Sequence, residues 1–131
     1  MNSTPLTQAQ ILVIKAAEDE KVLHNGDIPD SILGFHAQQA VEKLIKALLS
    51  QLAVAFELTH NLERLELLLR ANHETLPPTP IALTDLTDFA VVYRYDLLFQ
   101  IRPHDTADLI ETVRLIREHV VARIAALSTT P

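Results

Sequence analysis

The sequence predicts an all-α protein, a bundle of five helices in a single domain. Apolar residues recur at the three- and four-residue spacing of amphipathic helices, and no segment shows the strict alternation of a half-buried strand. With 131 residues, 48% of them hydrophobic, the chain can bury one core. We therefore assign residues 1–131 to one domain and expect flexible ends at about 1–5 and 128–131.

Turn-forming residues mark where the first two helices begin and where the first one ends. The first is predicted to begin at a Thr-Pro pair, residues 4–5, and to end at the segment HNGD, residues 24–27. Ile11 and Ile14 mark its turns. The second is predicted to begin at a Pro-Asp pair, residues 29–30, and to continue to about Ala53.

Three further helices follow, separated by proline-containing segments. The third spans about 61–70 and ends before a segment with three prolines, residues 71–80, which excludes regular structure. The fourth spans about 83–101, and Pro103 ends it. The fifth runs from about 105 to 127. The predicted buried stripes are Leu62, Leu65, Leu68 and Leu69 in the third helix, and Leu109, Val113, Ile116, Val120, Ile124 and Leu127 in the fifth.

Composition excludes several classes of function. The chain has no cysteine, so disulfides, thiolate chemistry and cysteine metal sites are excluded. Its net charge of −6 disfavours binding nucleic acid over a broad surface, because such binding depends on many lysines and arginines. No apolar stretch approaches the ~20 residues of a membrane span, and the N-terminus does not resemble a signal peptide. We expect a cytoplasmic protein without membrane contact.

The second helix carries an ordered polar row. His36, Gln39, Glu42, Lys43, Lys46 and Ser50 fall within about a third of its circumference, opposite Ala37, Ala40, Val41, Leu44 and Leu48. The row is either a solvated face or a functional one. A histidine and glutamines, rather than a simple mixture of glutamate and lysine, favour the functional interpretation.

The fourth helix is apolar on two sides. Leu86, Phe89, Ala90, Tyr93 and Leu97 form one stripe, and Val91, Tyr95 and Leu98 form a second about 140° away. Because one stripe faces the core, the other predicts a homodimer through this helix. Arg94 projects between the stripes, where a buried guanidinium needs either an anionic ligand or a carboxylate such as Glu42.

Three segments in this order resemble the HEPN family of small helical prokaryotic domains: FHAQQAVEKLIKALL (35–49), THNLERLELLL (59–69) and VVYRYD (91–96). The resemblance covers roughly Ile11 to Leu127. It implies an up-and-down bundle that dimerises. It also implies pairing with a minimal nucleotidyltransferase as toxin and antitoxin. Some members are metal-independent ribonucleases, and a nucleotide-binding role has been suggested for others.

Active members of that family carry an arginine and a histidine separated by four to six residues near the end of the penultimate helix. His can act there as acid or base, and Arg can stabilise phosphate charge. Here the permitted positions after Arg94 hold Phe99, Gln100 and Ile101, and His104 is too distant. The spacing from Arg114 to His119 matches, but within one helix those side chains point about 140° apart. Because this chain lacks the arginine–histidine spacing of the active members after Arg94, the sequence weakens the case for ribonuclease activity.

Three functions are consistent with these residues: a binding module, a ribonuclease, or a structural dimer. The first is favoured, as a dimer that binds a nucleotide, an RNA phosphate or the nucleotidyltransferase partner. Its candidate ligand-binding residues are His36, Gln39, Glu42, Lys43, Arg94, Tyr95 and Asp96. The ribonuclease would use Arg94 or Arg102 with His104, in the helix-breaking segment IRPHD. His60 is expected to cap or pack the third helix. No histidine spacing indicates a metal site, and we predict no metal and no cofactor.

Overall fold

The computed structural model describes residues 5–95 and 106–129, with side chains for all of these except residues 91–95. This part of the chain forms five α-helices and no strand. The helices are α1 (Gln8–Val22), α2 (Asp30–Gln51), α3 (Leu62–Ala71), α4 (Leu83–Tyr95) and α5 (Thr106–Ser128). The predicted all-α class and the order of the helices are confirmed. The predicted end of the fourth helix at Ile101 lies outside the described residues.

Side-chain caps fix the starts of α1 and α3. Thr7 Oγ1 accepts a hydrogen bond from the Gln10 backbone N–H (3.1 Å), and Gln10 Oε1 accepts one from the Thr7 N–H (2.8 Å). This reciprocal capping box satisfies two backbone N–H groups at the start of the helix. Asn61 Oδ1 caps α3 through the Arg64 N–H (3.2 Å). The first helix therefore begins at Gln8, later than predicted, because Thr7 and not Thr4 is its cap.

The C-terminal ends of α2 and α3 share one backbone arrangement. After α2 the Val54 N–H donates to the Leu49 carbonyl (3.0 Å), and after α3 the Glu74 N–H donates to the Leu69 carbonyl (3.0 Å). Both are Schellman motifs, which require a left-handed residue just after the helix. Ala53 (φ 58°) and His73 (φ 66°) occupy that position.

The core forms around α2, which packs against the other four helices. The apolar side predicted for it is confirmed, since Ala37, Ala40, Val41, Leu44 and Leu48 are all buried. The predicted stripes of α3 and α5 also face this core. Leu62, Leu65, Leu69, Leu109, Val113, Ile116 and Val120 are buried, and Leu68, Ile124 and Leu127 are partly buried against them.

The inner face of α1 differs from the apolar residues that marked it in sequence. Ala9, Ala16 and Asp19 are buried, whereas Ile11 and Ile14 are exposed to 43% and 48%. Small side chains let α1 approach α2 closely, so the larger isoleucines lie on the outer side. Ile11 and Ile14, which mark the turns of this helix in the sequence, therefore lie outside its buried face.

Contacts between helix ends define the directions of the bundle. Gln51 at the end of α2 hydrogen-bonds Ser128 at the end of α5 (3.4 Å), so these helices run parallel. Leu83 at the start of α4 lines a groove with Ile116 near the middle of α5, whereas Phe89 contacts Gly34 near the start of α2. Helix α4 therefore runs antiparallel to α2 and α5, and its last described residues lie at the level where α2 begins.

Gly34 lets α4 cross α2 at close range. A Cβ atom built on Gly34 would lie 2.2 Å from Cδ1 and Cε1 of Phe89 and 2.6 Å from its Cγ. Phe89 is itself buried, with 3% of its surface exposed. The predicted core stripe of α4 is confirmed for its described members, Leu86, Phe89 and Ala90.

An ion pair between Arg123 and the buried Glu74 joins α5 to the segment after α3. Arg123 Nε and Nη2 each donate to the Glu74 carboxylate at 2.9 Å, and Glu74 is buried. The hydrogen bond from Arg123 lowers the pKa of Glu74 below its ordinary value, and the charge of His119 acts in the same direction. The pair thus anchors α5 against the connection that leads into α4. Across the described residues, no helix is both long enough and apolar enough to span a membrane.

Candidate functional site

The polar row of α2 is not a solvated face. Glu42 is buried, with 5% of its surface exposed, and His36, Gln39, Lys43 and Lys46 are only partly exposed. These side chains are covered by α1 on one side and by the segment before α3 on the other. The simple solvated interpretation therefore fails, because most of the row is hydrogen-bonded within the protein.

Asp19 organises the half of the row that faces α1. Its buried carboxylate accepts from His36 Nδ1 (2.8 Å) through one oxygen and from the Lys43 ammonium through the other. The side chains of His36 and Lys43 keep 28% and 26% of their surface exposed. One carboxylate of α1 therefore holds a histidine and a lysine of α2 side by side at an edge open to solvent.

Glu42 organises the half that faces the segment before α3. Its carboxylate accepts from His60 Nδ1 (2.8 Å), Lys46 Nζ (3.0 Å) and Gln38 Nε2 (3.0 Å). The Gln38 amide also donates to the backbone carbonyl of His60 (3.0 Å). One carboxylate thereby joins α2 to His60, in the segment that leads into α3.

The Glu42 half of the row also includes Gln39. Gln39 Nε2 donates to Gln38 Oε1 (2.7 Å), and Gln38 is fully buried. We refer to the whole group as the α2 polar cluster, which consists of Asp19, His36, Gln38, Gln39, Glu42, Lys43, Lys46 and His60.

The cluster repeats one chemical unit twice, a buried carboxylate bonded to the Nδ1 of a histidine and to a lysine. A carboxylate beside Nδ1 selects the tautomer that carries its proton there, which leaves His36 Nε2 as the other polar atom of the ring. Each lysine uses one of its N–H groups on a carboxylate, so further donors remain for another acceptor. Because the two carboxylates are matched by two lysines, the exposed edge presents donors without excess negative charge.

Sequence reasoning found most of this cluster but missed Asp19 and Gln38. No sequence signal marked Asp19, because the buried face of α1 on which it lies is formed by Ala9 and Ala16, which do not stand out in a hydrophobic pattern. In the structure this buried carboxylate is paired, as such a group must be. His60 was expected to cap or pack the third helix; Asn61 is the cap, and the His60 side chain instead bonds Glu42 of α2.

The structure leaves the predicted Arg94–Glu42 pair as a prediction, because the side chain of Arg94 lies outside what it describes. Helix α4 runs from the groove beside Ile116 towards Gly34, near the start of α2. The Glu42 carboxylate accepts hydrogen bonds from Gln38, Lys46 and His60.

Other predicted site residues lie outside what the structure describes. Asp96, Arg102 and His104 fall outside the described residues, and for Arg94 and Tyr95 only the helical backbone is described. The Arg114–His119 spacing has an ordinary explanation in α5. Arg114 bonds Glu111 and Glu118 at the surface, whereas Nε2 of His119 is buried.

Among the described residues, no group of three or more histidine, cysteine, aspartate or glutamate side chains is arranged to hold a metal ion. Instead, each carboxylate of the polar cluster accepts hydrogen bonds from a histidine and a lysine. The chemistry of the cluster is that of positioned N–H donors and two imidazole rings.

Comparison with known proteins gave one match. A protein-family model described as "HEPN domain" matches residues 14–124 of the chain. No curated protein and no solved structure matches it significantly. The matched region contains every residue of the α2 polar cluster.

Proposed function

Because this chain belongs to the HEPN domain family, we propose that it is a binding module whose α2 polar cluster holds a phosphate group of a nucleotide or an RNA. The observation that supports this proposal is the buried Asp19 carboxylate, which fixes His36 and Lys43 side by side. The Lys43 ammonium is a charged N–H donor held in place, and such donors bind phosphate oxygens strongly because little rotational freedom is lost on binding.

The exposed edge of the cluster suits a single phosphate rather than a long nucleic acid. Lys43 offers N–H groups beyond the one bonded to Asp19. His36 lies beside it, and its Nε2 is an acceptor in the tautomer that Asp19 selects, so it suits a hydroxyl group of the ligand. The protein as a whole carries a net charge of −6, which opposes binding along an extended backbone. A nucleotide or an RNA end is therefore the ligand class that we favour.

The substitution Lys43→Met tests this site. It removes the ammonium and keeps most of the aliphatic chain, so we expect binding of adenosine triphosphate in chelator to weaken about tenfold or more. Isothermal titration calorimetry would measure the change, at a temperature where thermal melts show both proteins folded. Lys15→Met, at an exposed position of α1, is the matched control and should bind as the wild type does. Equal affinity of the Lys43 and Lys15 variants, or no binding by the wild type at millimolar nucleotide, would contradict the proposal.

A ribonuclease is the alternative, and its candidate residues are Arg94, Arg102 and His104. We expect purified protein in chelator to cleave cellular RNA weakly or not at all, because the family spacing of arginine and histidine is not intact after Arg94. Gel analysis of RNA incubated with wild type and with His104→Ala measures this. Robust cleavage that His104→Ala abolishes would favour the enzyme over the binding module.

Assembly with partners belongs to the same proposal. A homodimer through α4 is supported by the second apolar stripe of that helix in the sequence, Val91, Tyr95 and Leu98. Pairing with a minimal nucleotidyltransferase, as toxin and antitoxin, is supported by the family resemblance. A reading frame for such an enzyme beside the gene, and co-purification of the two products, would test the pairing.

A further inference from the structure

The site proposed for a phosphate also carries a hydrogen-bond acceptor, Nε2 of His36, and this atom narrows the class of ligand. Asp19 accepts from Nδ1 of His36 (2.8 Å), so the ring proton lies on Nδ1 and Nε2 keeps its lone pair. Among the described residues, no side chain hydrogen-bonds to this Nε2, and the histidine side chain is 28% exposed. A ligand bound to the Lys43 ammonium therefore meets an acceptor beside it.

The ring of His36 is held in one orientation from two sides. Asp19 bonds its Nδ1 edge, and the ring of Phe35 makes an edge contact with it, with the centroids 5.5 Å apart and the planes at 76°. A side chain that is already fixed in place loses little freedom when a ligand binds. The acceptor is thus positioned before any ligand arrives.

A phosphate group alone does not satisfy this acceptor. The oxygens of an ionised phosphate are themselves acceptors, so they suit the ammonium of Lys43 but not the lone pair of Nε2. A ligand that uses both groups must carry a donor close to its phosphate. In a ribonucleotide the sugar hydroxyls lie closest to the phosphate, and each can donate an O–H.

The two protein groups are close enough to contact one sugar and its phosphate. Nδ1 of His36 bonds one oxygen of the Asp19 carboxylate (2.8 Å), and Nζ of Lys43 bonds the other (2.5 Å). Resting on the phosphate site proposed above, we propose that Nε2 of His36 accepts a hydrogen bond from a ribose hydroxyl of the nucleotide whose phosphate binds Lys43. The ligand is then a ribonucleotide, and His36 is the residue that recognises its sugar.

Titrations with adenosine triphosphate and with its 2′,3′-dideoxy analogue, both in chelator, test this contact. The two nucleotides share the base and the phosphates and differ only in the sugar hydroxyls. We expect the wild type to bind the dideoxy analogue about fivefold more weakly, because Nε2 then lacks its donor. In His36→Phe, which keeps a planar ring without an acceptor, the two nucleotides should bind equally. Lys43→Met should weaken both and preserve their ratio.

The ratio of the two affinities is the decisive quantity, because a general loosening of the site weakens both nucleotides alike. Equal affinity of the wild type for both nucleotides would overturn this inference and leave the phosphate site standing. A wild-type preference that His36→Phe retains would also overturn it, since the hydroxyl would then contact another residue. Binding of neither nucleotide at millimolar concentration would remove the phosphate site and this inference together.

The tautomer of His36 gives a measurement that needs no variant. Nitrogen NMR of the imidazole in the wild type at neutral pH should show a protonated Nδ1 and an unprotonated Nε2. A ring protonated on both nitrogens would offer a donor in place of the acceptor and would contradict the inference.

Discussion

Replacing Gly34 with alanine should destabilise the bundle by about 2 to 3 kcal/mol, although the same change in an open helix would stabilise it by about 1 kcal/mol. The added Cβ would lie 2.2 Å from two ring carbons of Phe89 and 2.6 Å from the Cγ atom that joins the ring to its backbone. Because Cγ is near the main chain, rotation of the ring cannot relieve the overlap, and α4 must move away from α2.

Urea denaturation monitored by circular dichroism would measure the decrease in the free energy of unfolding. Gly26→Ala is the natural control, since no atom lies within 4 Å of a Cβ built there, and its free energy of unfolding should change by less than about 1 kcal/mol. In the double variant Gly34→Ala/Phe89→Leu, the smaller side chain should recover part of the loss. If Gly34→Ala unfolds at the same urea concentration as the wild type, the close crossing of α2 and α4 is wrong.

Replacing Glu42 with alanine should lower the free energy of unfolding by about 3 to 5 kcal/mol, which is more than the effect expected for Gly34→Ala. The carboxylate is buried and accepts from Gln38, Lys46 and His60. Its removal leaves the Lys46 ammonium without its counter-ion, although that side chain is only 13% exposed. It also removes one of the acceptors of the buried Gln38 amide. An uncompensated buried charge is among the most destabilising single changes.

A surface pair of the same chemistry provides the control. Glu118 is 54% exposed and pairs with Arg114, so Glu118→Ala should cost less than about 1 kcal/mol. Glu42→Gln retains one carbonyl oxygen and should fall between the two alanine variants. Denaturation curves that show Glu42→Ala and Glu118→Ala equally stable would mean that the polar cluster contributes nothing to the fold.

Periodicity was sufficient to predict the helices because their buried faces are long and regular. Leu62, Leu65 and Leu69 of α3, and Leu109, Val113 and Ile116 of α5, follow the helical repeat that the core requires. The same reasoning failed for α1, where the contact with α2 is made by alanines. A close helix pair prefers small side chains, and a hydrophobic pattern cannot distinguish those from an exposed surface.

The candidate site was predicted in part for a related reason. The polar row of α2 is visible within one helix, so His36, Glu42 and Lys43 could be grouped from spacing alone. Their partners Asp19 and His60 come from other elements, and only the packing of those elements shows which carboxylate meets which histidine. The direction of α4 was likewise not encoded in any local pattern.

The Schellman motifs after α2 and α3 are two positions at which the stability of the protein could be raised. Ala53 and His73 hold left-handed backbone angles, φ 58° and 66°, at positions where glycine has no steric cost. Each side chain there costs about 1 kcal/mol relative to glycine. Neither residue belongs to the α2 polar cluster. Glycine at either position should therefore let the fold tolerate a higher temperature without any change to that cluster.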